Sequence, residues 1–212
     1  EVGDNYLSYV VHEMHITAAR ELAQTGDFCK ARKWGGVGSN LGGKGHPEGM
    51  PLLHGVTAED ITFYMTTTGK MYLDRIKVFG KNNYDVLAAP TMPQYRKIRR
   101  IIGDSEFLGT EDQQVPDNSV GSFGDFLKSG RKFHLPYTTL FNSKVPNLFA
   151  AGRIISAKGY GWEITRVIPV AAMSGEAAGT AAALCVKEGV NAPELNIELL
   201  QNTLKSNGVL FE

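Results

Sequence analysis

The amino-acid sequence predicts a mixed α+β protein, because helix-like and strand-like patterns of apolar residues occur in the same chain. The clearest strand signal is the apolar run 147–151, which is closed by Gly152. A long helix is predicted to follow, with Pro169 in its first turn and Gly189 as its stop signal. A second long helix is predicted at 58–79. Together these elements favour helices packed against small sheets.

The first ninety residues contain four further patterns. Apolar spacing predicts a helix over Tyr6–Gln24, and seven glycines predict a long connection over Trp34–Pro51. Thr57 is the expected N-cap of the second helix, with Asp60 three residues later. Tyr84–Ala89 is predicted to be a strand.

The second half of the chain is less regular before residue 140. Tyr95–Leu108 is predicted to be a strand that carries a basic cluster, with Arg96 and Arg100 on one face and Arg99 on the other. A polar loop is expected over residues 110–120 and an irregular segment over residues 121–134. Beyond the long helix, Asn196–Lys205 predicts a short amphipathic helix.

Composition excludes several classes of function. The chain has 22 basic and 22 acidic residues, so no basic excess favours binding to nucleic acid or to an anionic membrane surface. The apolar run Val167–Val186 is long enough to span a membrane, but it is rich in Ala and Gly and contains Glu176. We therefore expect a soluble protein that binds neither nucleic acid nor membrane.

The cysteines and histidines predict no metal site. Cys29 and Cys185 form no C-x-x-C pair and no disulfide framework. His12 and His15 lack a third ligand at a suitable spacing. Because the sequence begins with Glu1, we expect that a natural N-terminus has been removed, and the cellular compartment is left open.

The strand, glycine turn and helix around Gly152 have two interpretations. Backbone N–H groups and the positive end of a helix dipole can meet at such a point and bind an anionic or electron-rich group. The same arrangement is also common in α/β proteins as a simple packing unit. The helix additionally has small residues at a spacing of four, which favours close approach of a flat partner: Ala171, Gly175, Gly179 and Ala183.

The amino-acid sequences of three segments resemble those of one protein family. The first is the C-terminal signature built from residues 147–153, Ser156-Ala157, 166–169 and 175–184; the others are the R-x-x-R-R-I-x-G segment at 96–103 and the H-L-P-Y segment at 134–137. In this order they resemble bacterial FAD-dependent oxidoreductases, two-dinucleotide-binding-domain flavoproteins of the glutathione-reductase-like class. The resemblance covers roughly residues 90–190.

This resemblance implies FAD as cofactor and a set of site residues. Gly152 and Arg153 would lie against the ribityl chain or the ring edge, and the loop 156–162 would cover the ring. The other cofactor-binding residues that the resemblance implies are Ser156, Ala157, Arg166, Val167, Ile168 and Gly175. Substrate-side, catalytic candidates are Arg99, His134 and Tyr137; the substrate itself is not implied. A substrate-side or cap region would cover 1–140, and the end of the FAD-binding domain 141–212.

One part of the family pattern is missing from the sequence. No strand–G-x-G-x-x-G–helix unit, which binds the ADP half of FAD, occurs in these 212 residues. We therefore expect the C-terminal strand and helix of a Rossmann-like domain without its N-terminal ADP-binding unit, and a fragment that self-associates through the face left uncovered. The alternative is a non-catalytic binding or assembly module derived from a flavoprotein. A carbohydrate-active or lyase role is less favoured, because no suitable acidic pair is present.

Overall fold

The computed structural model describes residues 1–27, 33–40, 43–80, 84–88 and 92–212. The chain forms two compact units, Val2–Ile98 and Arg99–Glu212, and Glu1 belongs to the second. The predicted division at residue 140 into a substrate-side or cap region and an FAD-binding part stays a prediction. Sequence predictions that concern Cys29, Gly42, Ala89 and Pro90 lie outside the described residues.

The first unit is built on a three-stranded antiparallel sheet of order β2-β1-β3. Its elements, in chain order, are β1 (Ser8–His15), α1 (Ile16–Thr25), β2 (Lys33–Gly38), α2 (Ala58–Phe79) and β3 (Tyr84–Ala88). The mixed α+β class predicted from the sequence is therefore confirmed.

The helix predicted over residues 6–24 is wrong in its first half. Residues 8–15 form the central strand, and the helix occupies Ile16–Thr25 alone. β1 pairs along one edge from Ser8 opposite Gly38 and along the other edge to His15 opposite Tyr84. Because the segment contains consecutive β-branched residues, two neighbouring strands override its helix-like spacing. The first part of the glycine-rich connection is likewise a strand, β2.

Helix α2 begins and ends where the sequence predicts. The Thr57 hydroxyl accepts a hydrogen bond from the Asp60 backbone N–H at 3.1 Å, and Gly80 follows the last turn with φ of 74°. Tyr64, Thr68 and Tyr72 are buried along one face of this helix. Both boundaries rest on local capping chemistry, which explains why the sequence predicts them correctly.

The second unit contains two antiparallel strand pairs and three helices. Its elements are β4 (Ser119–Gly124), β5 (Lys132–Pro136), β6 (Phe141–Asn142), β7 (Val145–Phe149), α3 (Tyr160–Thr165), α4 (Ile168–Glu188) and α5 (Ile197–Ser206). The C-terminal amphipathic helix is confirmed within one residue at each end. Asn196 caps α5 by accepting from the Leu199 backbone N–H at 3.1 Å.

The strand predicted over residues 95–108 does not form. Single backbone N–H groups of this stretch donate hydrogen bonds to carbonyl groups in separate segments: Ile101 to Ile154, Asp104 to Phe141 and Phe107 to Ser156. Arg100 is fully buried in this segment and pairs with Glu1 and Glu106. Because no single neighbouring strand runs alongside, the apolar residues are held by loops rather than by a ladder.

The sequence also misses the β4–β5 hairpin, which was expected to be irregular. Phe123 lies opposite Phe133 across the pair, and both rings contact Phe107 at centroid distances of 5.7 and 5.6 Å. Glycine and serine dilute the strand signal in this segment. Aromatic contacts with a residue distant in sequence stabilise the hairpin instead.

The strand before Gly152 is present, but it is not the buried strand that the apolar run predicts. β7 pairs only with the short β6, and the Leu148 side chain is 56 % exposed. The sequence suggests Thr165 as a possible N-cap of the following helix, but Thr165 ends the short helix α3 and Val167 is the N-cap of α4. The predicted end at Gly189 is confirmed by its φ of 69°.

Helix α4 has one buried face and one exposed face. By length and composition it is the one helix of the described residues that could span a membrane, a test that core helices of water-soluble proteins also pass. Its buried face packs into the core of the second unit through these residues: Val170, Ser174, Ala177, Ala178, Ala181, Leu184 and Cys185. On the opposite face, a Cβ added at Gly175 or Gly179 would meet no described atom within 4 Å.

Candidate functional site

The turn that follows β7 is held in place from two sides. Gly152 has φ of 70°, a conformation that favours glycine, and its N–H donates to the Ser174 hydroxyl of α4 at 2.9 Å. On the other side, the Trp162 indole N–H donates to the Arg153 carbonyl at 2.8 Å. The Arg153 side chain itself is exposed. The turn is therefore rigidly placed while its arginine remains accessible.

The N-terminus of α4 lies beside this turn and is open. No side chain caps Val167, and Ile168 is 84 % exposed. Pro169 carries no N–H, and the first intrahelical bond runs from Ala171 to the Val167 carbonyl. The N–H groups of Ile168 and Val170 consequently lack intrahelical partners and carry the positive end of the helix dipole.

The ring-covering loop predicted from the resemblance turns its side chains inward. Ser156 and Ala157 are fully buried, and the Ser156 hydroxyl has no hydrogen-bond partner in the described part of the chain. The Tyr160 hydroxyl donates to Asp125 at 2.5 Å, and burial raises the pKa of Tyr160 to about 12. Trp162 is buried with Arg100 over its ring. The two aromatic side chains therefore anchor the loop.

Arg166 precedes the open helix terminus and is paired. Its guanidinium lies 2.9 Å from the Glu163 carboxylate, one turn earlier, and its side chain is largely buried. The positive charge of Arg166 is thus partly compensated, and its guanidinium is held in one orientation. Its backbone belongs to the junction between α3 and α4.

The three predicted substrate-side residues lie in different environments. Arg99 is exposed. His134 is buried, with Nδ1 3.2 Å from the Ser119 hydroxyl and no described partner for Nε2; burial and, secondarily, Lys132 lower its pKa. Tyr137 is buried and donates to the Ala192 carbonyl at 2.9 Å, and burial raises its pKa. The Tyr137 hydroxyl is therefore engaged in a hydrogen bond within the fold.

Each unit contains a cavity lined by described residues. A cavity of about 160 Å³ in the second unit is lined by His134 together with Phe107, Glu111, Gln114, Val115, Pro116 and Pro136. A larger one of about 560 Å³ in the first unit is lined by Val2, Pro51, Leu53, His54, Val56, Thr57, Glu59, Asp60 and Phe63. Of the predicted site residues, only His134 lines either cavity. Among the described residues no cluster of three metal-ligating side chains occurs.

Sequence reasoning missed three residues that shape the site. Ser174 holds Gly152, the buried Arg100 guanidinium lies over the Trp162 ring, and Ser119 orients His134. The one sequence signal for Ser174 is that a hydroxyl-bearing residue occurs among the Ala and Gly residues of the predicted long helix. Nothing local distinguishes the buried Arg100 from the exposed Arg99.

Comparison with known proteins gives one match, to the family described as FAD dependent oxidoreductase. It covers residues 111–204, a region that includes the Gly152 turn, α3 and α4 but not Arg99. No curated protein and no solved structure matches the chain. The match supports a flavin-dependent oxidoreductase region, for which FAD is the implied cofactor. The glutathione-reductase-like class and bacterial origin stay predictions.

The geometry around the turn fits the ring end of a flavin. A Cβ built on Gly152 would meet only the Ala171 side chain among described residues within 4 Å, at 3.7 Å, an ordinary van der Waals contact. The α4 terminus, which packs against this turn through Ala171 and Ser174, has no side-chain cap, and its Ile168 is exposed. Ser156 and Ala157 are buried, so they would contribute by shaping the backbone rather than through direct side-chain contact.

Proposed function

We propose that this chain forms the flavin-ring side of an FAD-dependent oxidoreductase. One observation carries the proposal: within the matched region, the open N-terminus of α4 lies beside the glycine turn that Ser174 and Trp162 hold. FAD, when bound, supplies the two-electron redox chemistry. The protein's part is to bind, orient and provide an electrostatic environment.

The residues at the α4 terminus would hold the electron-accepting end of the cofactor. The N–H groups of Ile168 and Val170 point along the helix axis with the positive end of the dipole, which stabilises an anionic acceptor. Arg166 adds a cation whose direction Glu163 fixes. Arg153 and Gly152 would position the neighbouring part of the cofactor.

On the substrate side, Arg99 is the candidate with an accessible charge. An exposed guanidinium can bind a carboxylate or phosphate through two parallel hydrogen bonds. Burial lowers the pKa of His134, which favours its neutral form, and its ring lines the small cavity. Tyr137 would act through the fold, since its hydroxyl is bonded to Ala192.

The exposed face of α4 would be covered by another part of the same flavoprotein. Small and apolar side chains follow one another along it: Ile168, Ala172, Gly175, Gly179, Ala183 and Val186. Such a face permits close approach of a sheet or helix, and we propose that the ADP-binding unit packs here. Without that unit, this face would be the site of self-association.

The experiment compares this chain alone with a longer protein in which, as the proposal requires, it is joined to an ADP-binding unit; this is called the full-length protein. We expect the full-length protein to bind FAD and show flavin absorbance. We expect this chain alone to fold at least in part and bind FAD in calorimetry more weakly than about 1 μM, or about −8 kcal/mol. Well-folded, colourless full-length protein that takes up no FAD would overturn the proposal and favour the binding or assembly module. Tight binding by this chain alone would show that a separate ADP-binding unit is dispensable.

A further inference from the structure

Ser174 is the one side chain of α4 for which a hydrogen bond to the Gly152 turn is recorded in the described structure. Its hydroxyl accepts from the Gly152 N–H at 2.9 Å and donates to the Val170 carbonyl at 2.7 Å. The residue is completely buried. The two bonds join the turn, 22 residues earlier in the sequence, to the first turns of α4.

The hydrogen bond from Ser174 to the Val170 carbonyl is ordinary for a helix, whereas the hydrogen bond from the Gly152 N–H to Ser174 is not required by the helix. A serine inside a helix commonly donates to the carbonyl four residues earlier, which leaves its oxygen free to accept. Here that oxygen accepts from a residue outside the helix. The donated and accepted bonds polarise the hydroxyl in the same sense and strengthen each other.

The bond also fixes the direction in which the turn presents its groups. The Gly152 N–H is satisfied internally, and this bond stabilises the turn at its φ of 70°. The Arg153 side chain and the α4 terminus, where Ile168 is exposed, then keep a fixed spacing. An alanine at 174 would leave a partly buried N–H unpaired and would free the turn to move.

We propose that Ser174 is a positioning residue, which sets the Gly152–Arg153 turn against the N-terminus of α4 and thereby sets the affinity and environment of the flavin. The flavin part of this inference rests on the proposed function. The part that concerns the turn stands on the hydrogen bonds alone. Ser174 touches no cofactor in this assignment and acts through Gly152.

The test uses Ser174→Ala, with Ser174→Thr as the conservative variant that keeps a hydroxyl. Thr139→Val is the matched control, because Thr139 is also fully buried but its hydroxyl bonds only to the nearby Pro136 carbonyl. The first measurement is amide hydrogen exchange of Gly152 in the chain without FAD. We expect exchange to accelerate about tenfold or more in Ser174→Ala and to be restored by Ser174→Thr. Thr139→Val should leave it unchanged.

The second measurement is made on the full-length protein with FAD. We expect Ser174→Ala to raise the dissociation constant of FAD about tenfold, equivalent to about 1.4 kcal/mol, and to shift the visible flavin absorption bands. Ser174→Thr should restore both, and Thr139→Val should alter neither. A general loss of stability would not produce this pattern.

The outcomes separate the two proposals. Unchanged Gly152 exchange in Ser174→Ala overturns the assignment of Ser174, whatever the protein does with FAD. Accelerated exchange with unchanged FAD affinity and spectrum overturns its role as a positioning residue. A wild-type full-length protein that binds no FAD overturns the proposed function and the flavin part with it, while the exchange measurement still decides whether Ser174 holds the turn.

Discussion

The Trp162 indole N–H donates to the Arg153 carbonyl at 2.8 Å, so the loop that follows the glycine turn folds back onto it. This bond makes the aromatic residues of the loop part of the scaffold. Trp162 also lies beneath the guanidinium of Arg100, 5.8 Å from its ring centre. A loop that sequence resemblance would place over a cofactor is therefore anchored through its own side chains.

Arg166→Ala should lower the reduction potential of the bound flavin in the full-length protein. If Arg166 lies near the reduced, anionic ring as proposed, removing its charge disfavours reduction, by on the order of 30 mV, or about 1.4 kcal/mol for a two-electron couple. Potentiometric titration with a reference dye measures the change. Glu163→Gln is the control and should raise the potential, because it removes the anion that compensates Arg166. An unchanged potential in Arg166→Ala would remove this residue from the site.

Two glycine substitutions should have opposite effects on the stability of this chain. A Cβ at Gly161 would lie 2.2 Å from the Phe107 carbonyl oxygen, so Gly161→Ala should destabilise by about 3 kcal/mol. A Cβ at Gly175 meets nothing within 4 Å, so Gly175→Ala should stabilise by about 1 kcal/mol through helix propensity. Urea denaturation measures both, and a stable Gly161→Ala variant would contradict the close packing of α3 on residue 107.

The free energy of unfolding of this chain should decrease as the pH is lowered below about 6.5. Burial lowers the pKa of His134 in the folded state, so the unfolded state binds the proton more readily in this window. The contribution of neutral His134 to stability is fully present above the pKa of His134 in the unfolded state. It is lost as the pH falls toward the lower pKa of His134 in the folded state. Urea midpoints measured between pH 7.5 and pH 5 should show this slope. His134→Gln should flatten it, and an equal slope in that variant would assign the effect to other groups.

Val186→Glu should weaken self-association of this chain without changing its fold. Val186 is 84 % exposed on the small-residue face of α4, and a buried carboxylate in a dimer interface would be costly. Val78→Glu is the matched control, because Val78 is 82 % exposed on helix α2 of the other unit. Sedimentation velocity over a range of concentrations distinguishes the variants. A wild-type chain that stays monomeric at high concentration would contradict association through this face.

The sequence by itself determined the elements whose limits depend on local chemistry. Thr57 with Asp60, Gly80, Gly189 and Asn196 define helix ends through caps that neighbouring residues complete. The class of cofactor is equally readable, because the signature around Gly152 consists of short segments that lie close together in the sequence, within the matched residues 111–204.

Only the tertiary structure decided which residues are buried, paired or open. Residues 8–15 became a strand because two neighbours pair with them, and residues 95–108 failed to become one because none runs alongside. Arg99 and Arg100 are adjacent and chemically identical, yet one is exposed and the other is enclosed by Glu1, Glu106 and Trp162. Burial and pairing depend on residues distant in sequence, and their positions are set only once the chain has packed.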